Sequence, residues 1–148
     1  MKTFNNILLA ITMVLTALPA LAEQPVIDVY KSPYCGCCKH WVSHLEENGF
    51  TVIEHATDNM GEIKARFGII SELASCHTAV INGKFIEGHV PASDIKKLIA
   101  EKSDIQGLSA PGMPAGDNVP GMETTHANAK YDVLAISKDG IEVYSHYE

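Results

Sequence analysis

Apolar positions crowd the start of the chain. Ile7 to Leu18 is apolar apart from Thr12 and Thr16, with one lysine, Lys2, ahead of it and Ala20-Leu21-Ala22 behind it. A short apolar run between a positive start and an A-x-A site is the layout of a secretory leader. Residues 1–22 are therefore expected to be a cleaved signal peptide, leaving 23–148 as a single exported domain. The run falls short of the roughly 20 residues that span a bilayer, so no stable membrane insertion is expected.

Beyond residue 22 the pattern breaks into short periodic segments. Val26-Ile27-Asp28-Val29-Tyr30 is rich in β-branched residues and reads as a strand that ends at Ser32-Pro33. Cys38, Trp41, Val42 and Leu45 recur at helical spacing, and Asn48-Gly49 is a stop signal, so a helix is expected from Cys37 to Asn48. Thr51-Val52-Ile53 reads as a second strand, and Gly61 to Phe67 as a short helix closed by Gly68. Asn82-Gly83 separates two strand-like runs, Thr78–Ile81 and Lys84–Glu87, which predicts a hairpin. Ser93 or Asp94 is placed to cap a further helix with Ile95, Leu98 and Ile99 on its apolar face. Gly107 to His126 is Pro/Gly-rich and reads as a loop, and the alternating tail from Lys130 reads as a second hairpin around Asp139-Gly140.

The order β-α-β-α-β-β-α, with cysteines where the first strand meets its helix, resembles the thioredoxin and glutaredoxin fold. The hairpin "AVINGKFIEG" strengthens the likeness. The expected fold is thus α/β: a thioredoxin/glutaredoxin-like central sheet flanked by helices, with a Pro/Gly/Met-rich loop and a C-terminal β-hairpin. On this resemblance the place of the active-site cis-proline falls near His77, beside Cys76, and that loop would face Cys35, Cys37 and Cys38.

Those cysteines carry the chemistry. "SPYCGCCKHW" puts Cys35, Cys37 and Cys38 within four positions at a helix N-terminus, where unpaired N–H groups and the positive end of the dipole favour thiolate. Cys35 and Cys38 have C-x-x-C spacing, which in an exported α/β domain points to thiol-disulfide exchange. Cys37 has no necessary part in such a cycle and points instead to metal. Adjacent Cys37 and Cys38 cannot easily share one tetrahedral ion with Cys35, but bridging thiolates suit a small cluster of a soft ion, copper(I) above others. A pair of plain structural disulfides is the competing account, made awkward by the vicinal cysteines.

Methionine and histidine add softer evidence. Met113 and Met122 each follow Pro-Gly in the loop segment, outside any amphipathic period, and thioether is a soft copper(I) ligand; filling gaps in the core is the competing role. His89, just after the hairpin's closing glycine, is the favoured histidine ligand. His77 is evenly divided between ligand and structural roles. His40 and His44 have chelating i, i+4 spacing but project opposite the apolar helix face, toward solvent. His55, His126 and His146 carry little positional information.

The formal net charge of −7, with 11 basic against 18 acidic residues, disfavours nucleic acid and anionic membrane surfaces as partners. The chain contains no phosphate-binding glycine loop and no paired-carboxylate constellation.

Taken in order, "VYKSPYCGCCKHWVSHLEENGF", "SCHTAVINGKFIEGHVPASDIKKLI", "GLSAPGMP", "PGME" and "YDVL" resemble the CopG-like family of periplasmic copper-resistance proteins across essentially the whole mature chain. The resemblance implies a periplasmic, thioredoxin-like domain that binds several copper ions through Cys35, Cys37, Cys38 and Cys76, with His89, Met113 and Met122 at matching motif positions. It also implies a role in copper detoxification, by interconverting copper redox states or delivering copper to an exporter, with an exporter or an electron donor as partner. A thiol-disulfide oxidoreductase using Cys35 and Cys38 is the alternative left open by the residues, and any enzymatic activity would be copper-linked.

Overall fold

The computed structural model describes residues 23–123 and 126–148; the expected leader, residues 1–22, lies outside them. Among the described residues ten elements follow one another: β1 (Val26–Lys31), α1 (Gly36–Glu47), β2 (Thr51–Ala56), α2 (Met60–Arg66), β3 (His77–Ile81), β4 (Lys84–Glu87), α3 (Ala92–Ala100), β5 (Gly107–Ser109), β6 (Tyr131–Ser137) and β7 (Gly140–Tyr147). The strands form one sheet in the order β2-β1-β3-β4-β5-β6-β7. β1 and β2 run parallel around α1, while β3 lies antiparallel to β1 and to β4, as the thioredoxin-like expectation requires.

Alternation along the strands sets the two faces of the sheet. Ile27, Val29, Ala79, Ile81, Ile86, Leu108 and Val133 point into one buried cluster with Trp41, Val42 and Leu45 of α1 and Ile95 and Leu98 of α3. A smaller cluster of Ile69, Leu73 and Phe85, with Phe67 and Leu134 against it, packs separately. The β3–β4 hairpin closes through Asn82 (φ 50°) and Gly83 (φ 75°), both left-handed, as a turn matched to strand twist demands.

Two local expectations change. Gly107–Ser109, read as the start of a loop, is strand β5: three fully buried residues pair in parallel with β4 and antiparallel with β6. Neither Ser93 nor Asp94 caps α3; Pro91 is the cap residue and Asp94 sits in the first turn. Asp94 instead accepts from Ser145 Oγ at 2.8 Å and the Tyr147 hydroxyl at 2.9 Å, fastening the C-terminal hairpin to the helix. The second hairpin forms as expected, with Ser137 paired to Gly140.

This topology gathers four chain segments at one end of the sheet. Lys31 at the end of β1 pairs with His77 at the start of β3, and Thr78 pairs with Glu87 at the end of β4. Glu87 in turn pairs with Ser109 at the end of β5. The cysteine turn after β1, the Ser75-Cys76 approach to β3, Gly88-His89 after β4 and the Pro/Gly/Met-rich segment after β5 therefore all emerge together.

Candidate metal centre

Cys35 is the N-cap residue of α1, in extended conformation and without a side-chain cap bond, so the first turn of the helix carries Cys37 and Cys38 beside it. Cys38 points into the core and is buried, while Cys35, Cys37 and Cys76 are half-buried. A disulfide joins Cys35 to Cys38, and Cys37 and Cys76 are free thiols. This arrangement excludes the account of two structural disulfides for the conformation seen.

The four sulfurs nevertheless form one group. Cys35 Sγ lies 3.6 Å from Cys37 Sγ, Cys37 Sγ 4.0 Å from Cys76 Sγ, and Cys38 Sγ 3.8 Å from Cys76 Sγ. All four lie within 4.8 Å of one another, close enough to hold a metal ion. The distal cysteine thus stands against the C-x-C-C turn, as the thioredoxin-like topology implied.

Cys76 also belongs to a second group, with His77 and His89. Its sulfur is 3.3 Å from His77 Nδ1 and 3.4 Å from His89 Nε2. The Pro120 carbonyl accepts from His89 Nδ1 at 2.8 Å, which fixes the tautomer and leaves the Nε2 lone pair facing the thiol. His77 is fully buried; its ring lies 4.3 Å from Trp41 and 5.0 Å from His89, and its Nε2 has no hydrogen-bond partner among the described residues. The Trp41 indole donates to the Val90 carbonyl at 2.9 Å, which ties α1 to the segment after β4.

Burial favours the neutral forms of Cys76, His77 and His89. Burial, with Cys37 nearby, pushes the Cys76 thiol up to about 11. Burial first, and then His89 and Lys64, hold His77 far below the usual imidazole range. Burial also lowers His89, against the opposing pull of its bond to Pro120. Neutral imidazoles and a protonated thiol present lone pairs and one exchangeable proton to an incoming ion.

Two glycines permit the close approach of the covering segment. Gly121 has φ 78°, and a Cβ there would stand 2.6 Å from the Trp41 backbone nitrogen. Gly88 has φ 74°, and a Cβ there would meet the Ala110 carbonyl at 2.6 Å. The chain around residues 120–121 can consequently lie on α1 and deliver the Pro120 carbonyl to His89.

The methionines are more peripheral. Met113 is 55% exposed and follows Gly112, whose carbonyl accepts the Ser75 hydroxyl, so it stands at the rim of the Cys76 loop. Met122 is half-buried in a turn closed by its own N–H on the Val119 carbonyl at 2.9 Å. His40 is exposed as expected, but His44 is half-buried and its Nε2 accepts from Ala92 N at 3.1 Å, serving the start of α3. His55 pairs with Asp28 at 2.6 Å, and exposed His146 pairs with Asp132. Sequence reasoning missed Lys64 and Glu87, an ion pair of a half-buried lysine and a buried carboxylate that also accepts from Ser75 N, next to Cys76; their separation by 23 residues leaves no local signal.

A family model described as "Protein of unknown function, DUF411" matches residues 73–122, the stretch from Leu73 through Cys76, His89 and Met122. No curated protein matches the chain. Two solved structures do. "Copper resistance protein copG- Form 1" is 45% identical with a TM-score of 0.78, over 84% of this chain and 98% of that one. "Copper resistance protein copG- Form 2" is 46% identical with a TM-score of 0.80, over 85% of this chain and 100% of that one. With the cysteine group, the sheet order and this identity in agreement, the chain belongs to the family of the copper resistance protein CopG.

Proposed function

We propose that residues 23–148 act in the periplasm as a copper-binding protein in copper resistance, holding several copper(I) ions in a thiolate-bridged cluster. The observation that carries this reading is the meeting of four cysteine sulfurs with the oriented Nε2 of His89 around Cys76. Thiolate and imidazole together suit copper, and neighbouring sulfurs 3.6–4.0 Å apart are spaced for ions to bridge between them. Cys35, Cys37, Cys38 and Cys76 are the primary ligands, His89 adds nitrogen, and Met113 and Met122 offer thioether at the covering segment.

The Cys35–Cys38 disulfide makes a redox role part of the proposal. Opening it restores two thiols for copper(I). In reverse, two thiols reduce two copper(II) ions to copper(I), forming the disulfide and releasing two protons. A periplasmic electron donor would then be needed to reopen it, and an exporter would remove the metal.

The test is anaerobic titration of the reduced chain with copper(I), measuring metal bound per chain and remaining free thiols. More than one copper per chain, lost in Cys37→Ser or Cys76→Ser, supports the cluster. A second reading, thiol-disulfide oxidoreductase with Cys35 as nucleophile and Cys38 as resolving thiol, is favoured by the same disulfide. It would be upheld by efficient disulfide exchange in a metal-free Cys37→Ser variant that binds no copper tightly.

A further inference from the structure

The turn that presents Cys76 is held by a buried charge. Glu87, at the end of β4, is 0% exposed, and its carboxylate accepts from Ser75 N at 2.6 Å and from Thr78 Oγ1 at 2.6 Å. Lys64 of α2 donates to the same carboxylate, and its Nζ also reaches Thr78 Oγ1 at 3.2 Å. One carboxylate thus grips the chain immediately before Cys76 and again two residues after it. The register of β3 and β4 does not require this, because the backbone ladder already places Thr78 opposite Glu87. What the carboxylate adds is the bond to Ser75 N, outside the ladder, at the residue that aims the sulfur.

We propose that Glu87, supported by Lys64, is the positioning residue for Cys76, holding its sulfur against Cys37 and Cys38. A buried carboxylate with a half-buried lysine for its counter-charge is a poor device for stability, since well-packed apolar residues often do as well or better. Its retention here is explained by the position it imposes. The importance of that position for copper rests on the functional reading above, but the position itself can be measured without metal.

The experiment uses a chain carrying Cys35→Ser and Cys37→Ser, so that Cys38 and Cys76, with sulfurs 3.8 Å apart, are the remaining thiols. These two react with oxidised glutathione: its S–S bond breaks, a Cys38–Cys76 disulfide forms, and two reduced glutathione molecules leave. The equilibrium constant gives the effective molarity of one thiol at the other. Adding Lys64→Met with Glu87→Leu removes the grip and the charges together, and should lower the effective molarity about tenfold or more. Adding Lys64→Met with Glu87→Gln removes the charges but keeps an acceptor for Ser75 N, and should stay within about twofold of the parent. An unchanged effective molarity in the Leu variant, or an equal fall in the Gln variant, overturns the proposal. If the Leu variant fails to fold, Thr78→Val removes one tether alone and should lower the value about threefold; no change there also overturns it. Melting temperature, read in parallel, separates position from stability. Failure of the four-cysteine chain to bind copper(I) would overturn the functional reading and leave the effective molarities standing.

Discussion

His89 Nε2 faces Cys76 Sγ at 3.4 Å because the other ring nitrogen is committed to the Pro120 carbonyl at 2.8 Å. A ring held from behind in this way presents its lone pair without reorganisation. Replacing His89 with Ala is therefore expected to weaken copper(I) binding by about 10–100-fold, the range for losing an oriented metal-site group. Competition against a chromogenic copper(I) chelator measures it, and unchanged affinity would remove His89 from the site.

The disulfide predicts a redox dependence of capacity. With Cys35 and Cys38 joined, thiol labelling under native conditions should find Cys37 and Cys76; after reduction it should find all four cysteines. Copper(I) bound per chain should rise in parallel. Equal copper content before and after reduction would show that Cys35 and Cys38 are not ligands.

The raised Cys76 thiol has a pH signature. Copper(I) must displace its proton, so binding should tighten with pH at about tenfold per unit for that proton. An ordinary thiol stops contributing above 9.0. The Cys76 contribution continues to about 11, so the slope that persists between these values should vanish in Cys76→Ser. The same shift acts on folding: the Cys76 contribution to metal-free stability is fully present below the unfolded thiol's 9.0 and is lost as pH climbs through about 11. Chemical denaturation across that window reads the sign.

Gly121→Ala should break the covering segment's seat. The added Cβ meets the Trp41 nitrogen at 2.6 Å with φ at 78°, so the turn must lift from α1. A loss of about 1–3 kcal/mol in unfolding free energy is expected, together with weaker copper binding as Pro120 leaves His89. Retained affinity with lowered stability would show that the Pro120 contact does not orient the ring.

Asp94→Ala supplies the contrast. It removes the acceptor of Ser145 and of the Tyr147 hydroxyl, whose pKa burial and Asp94 raise to about 12. Stability should fall by about 1–3 kcal/mol, and hydrogen exchange in β7 should quicken, with copper binding unchanged. Slower or unchanged exchange would mean that strand pairing alone holds the hairpin.

Local signals carried most of the fold into the sequence. Asn82-Gly83 marks its turn because both residues adopt positive φ, and Cys38, Trp41, Val42 and Leu45 mark the buried face of α1 because each points inward. The C-x-C-C turn and Cys76 were legible as one group only through topology, since 38 residues separate Cys38 from Cys76. β5 was hidden because Gly-Leu-Ser is too short for any period, and its strand character comes from pairing on both sides. His44 looked exposed because a helical projection cannot see α3 arriving with Ala92 N. Glu87 closes a four-residue strand whose last three residues are all buried, too short to show a period, and nothing near it announces Lys64.

The contribution of the 120–121 step to the site consists of a carbonyl and a missing methyl group. A carbonyl belongs to every amino acid, so the hydrogen-bond acceptor behind His89 can survive replacement of Pro120 by any residue that keeps the turn. The missing methyl belongs to glycine alone. Mutational tolerance along this segment should accordingly be lopsided, permissive where the chemistry is supplied and strict one residue later, where nothing but space is.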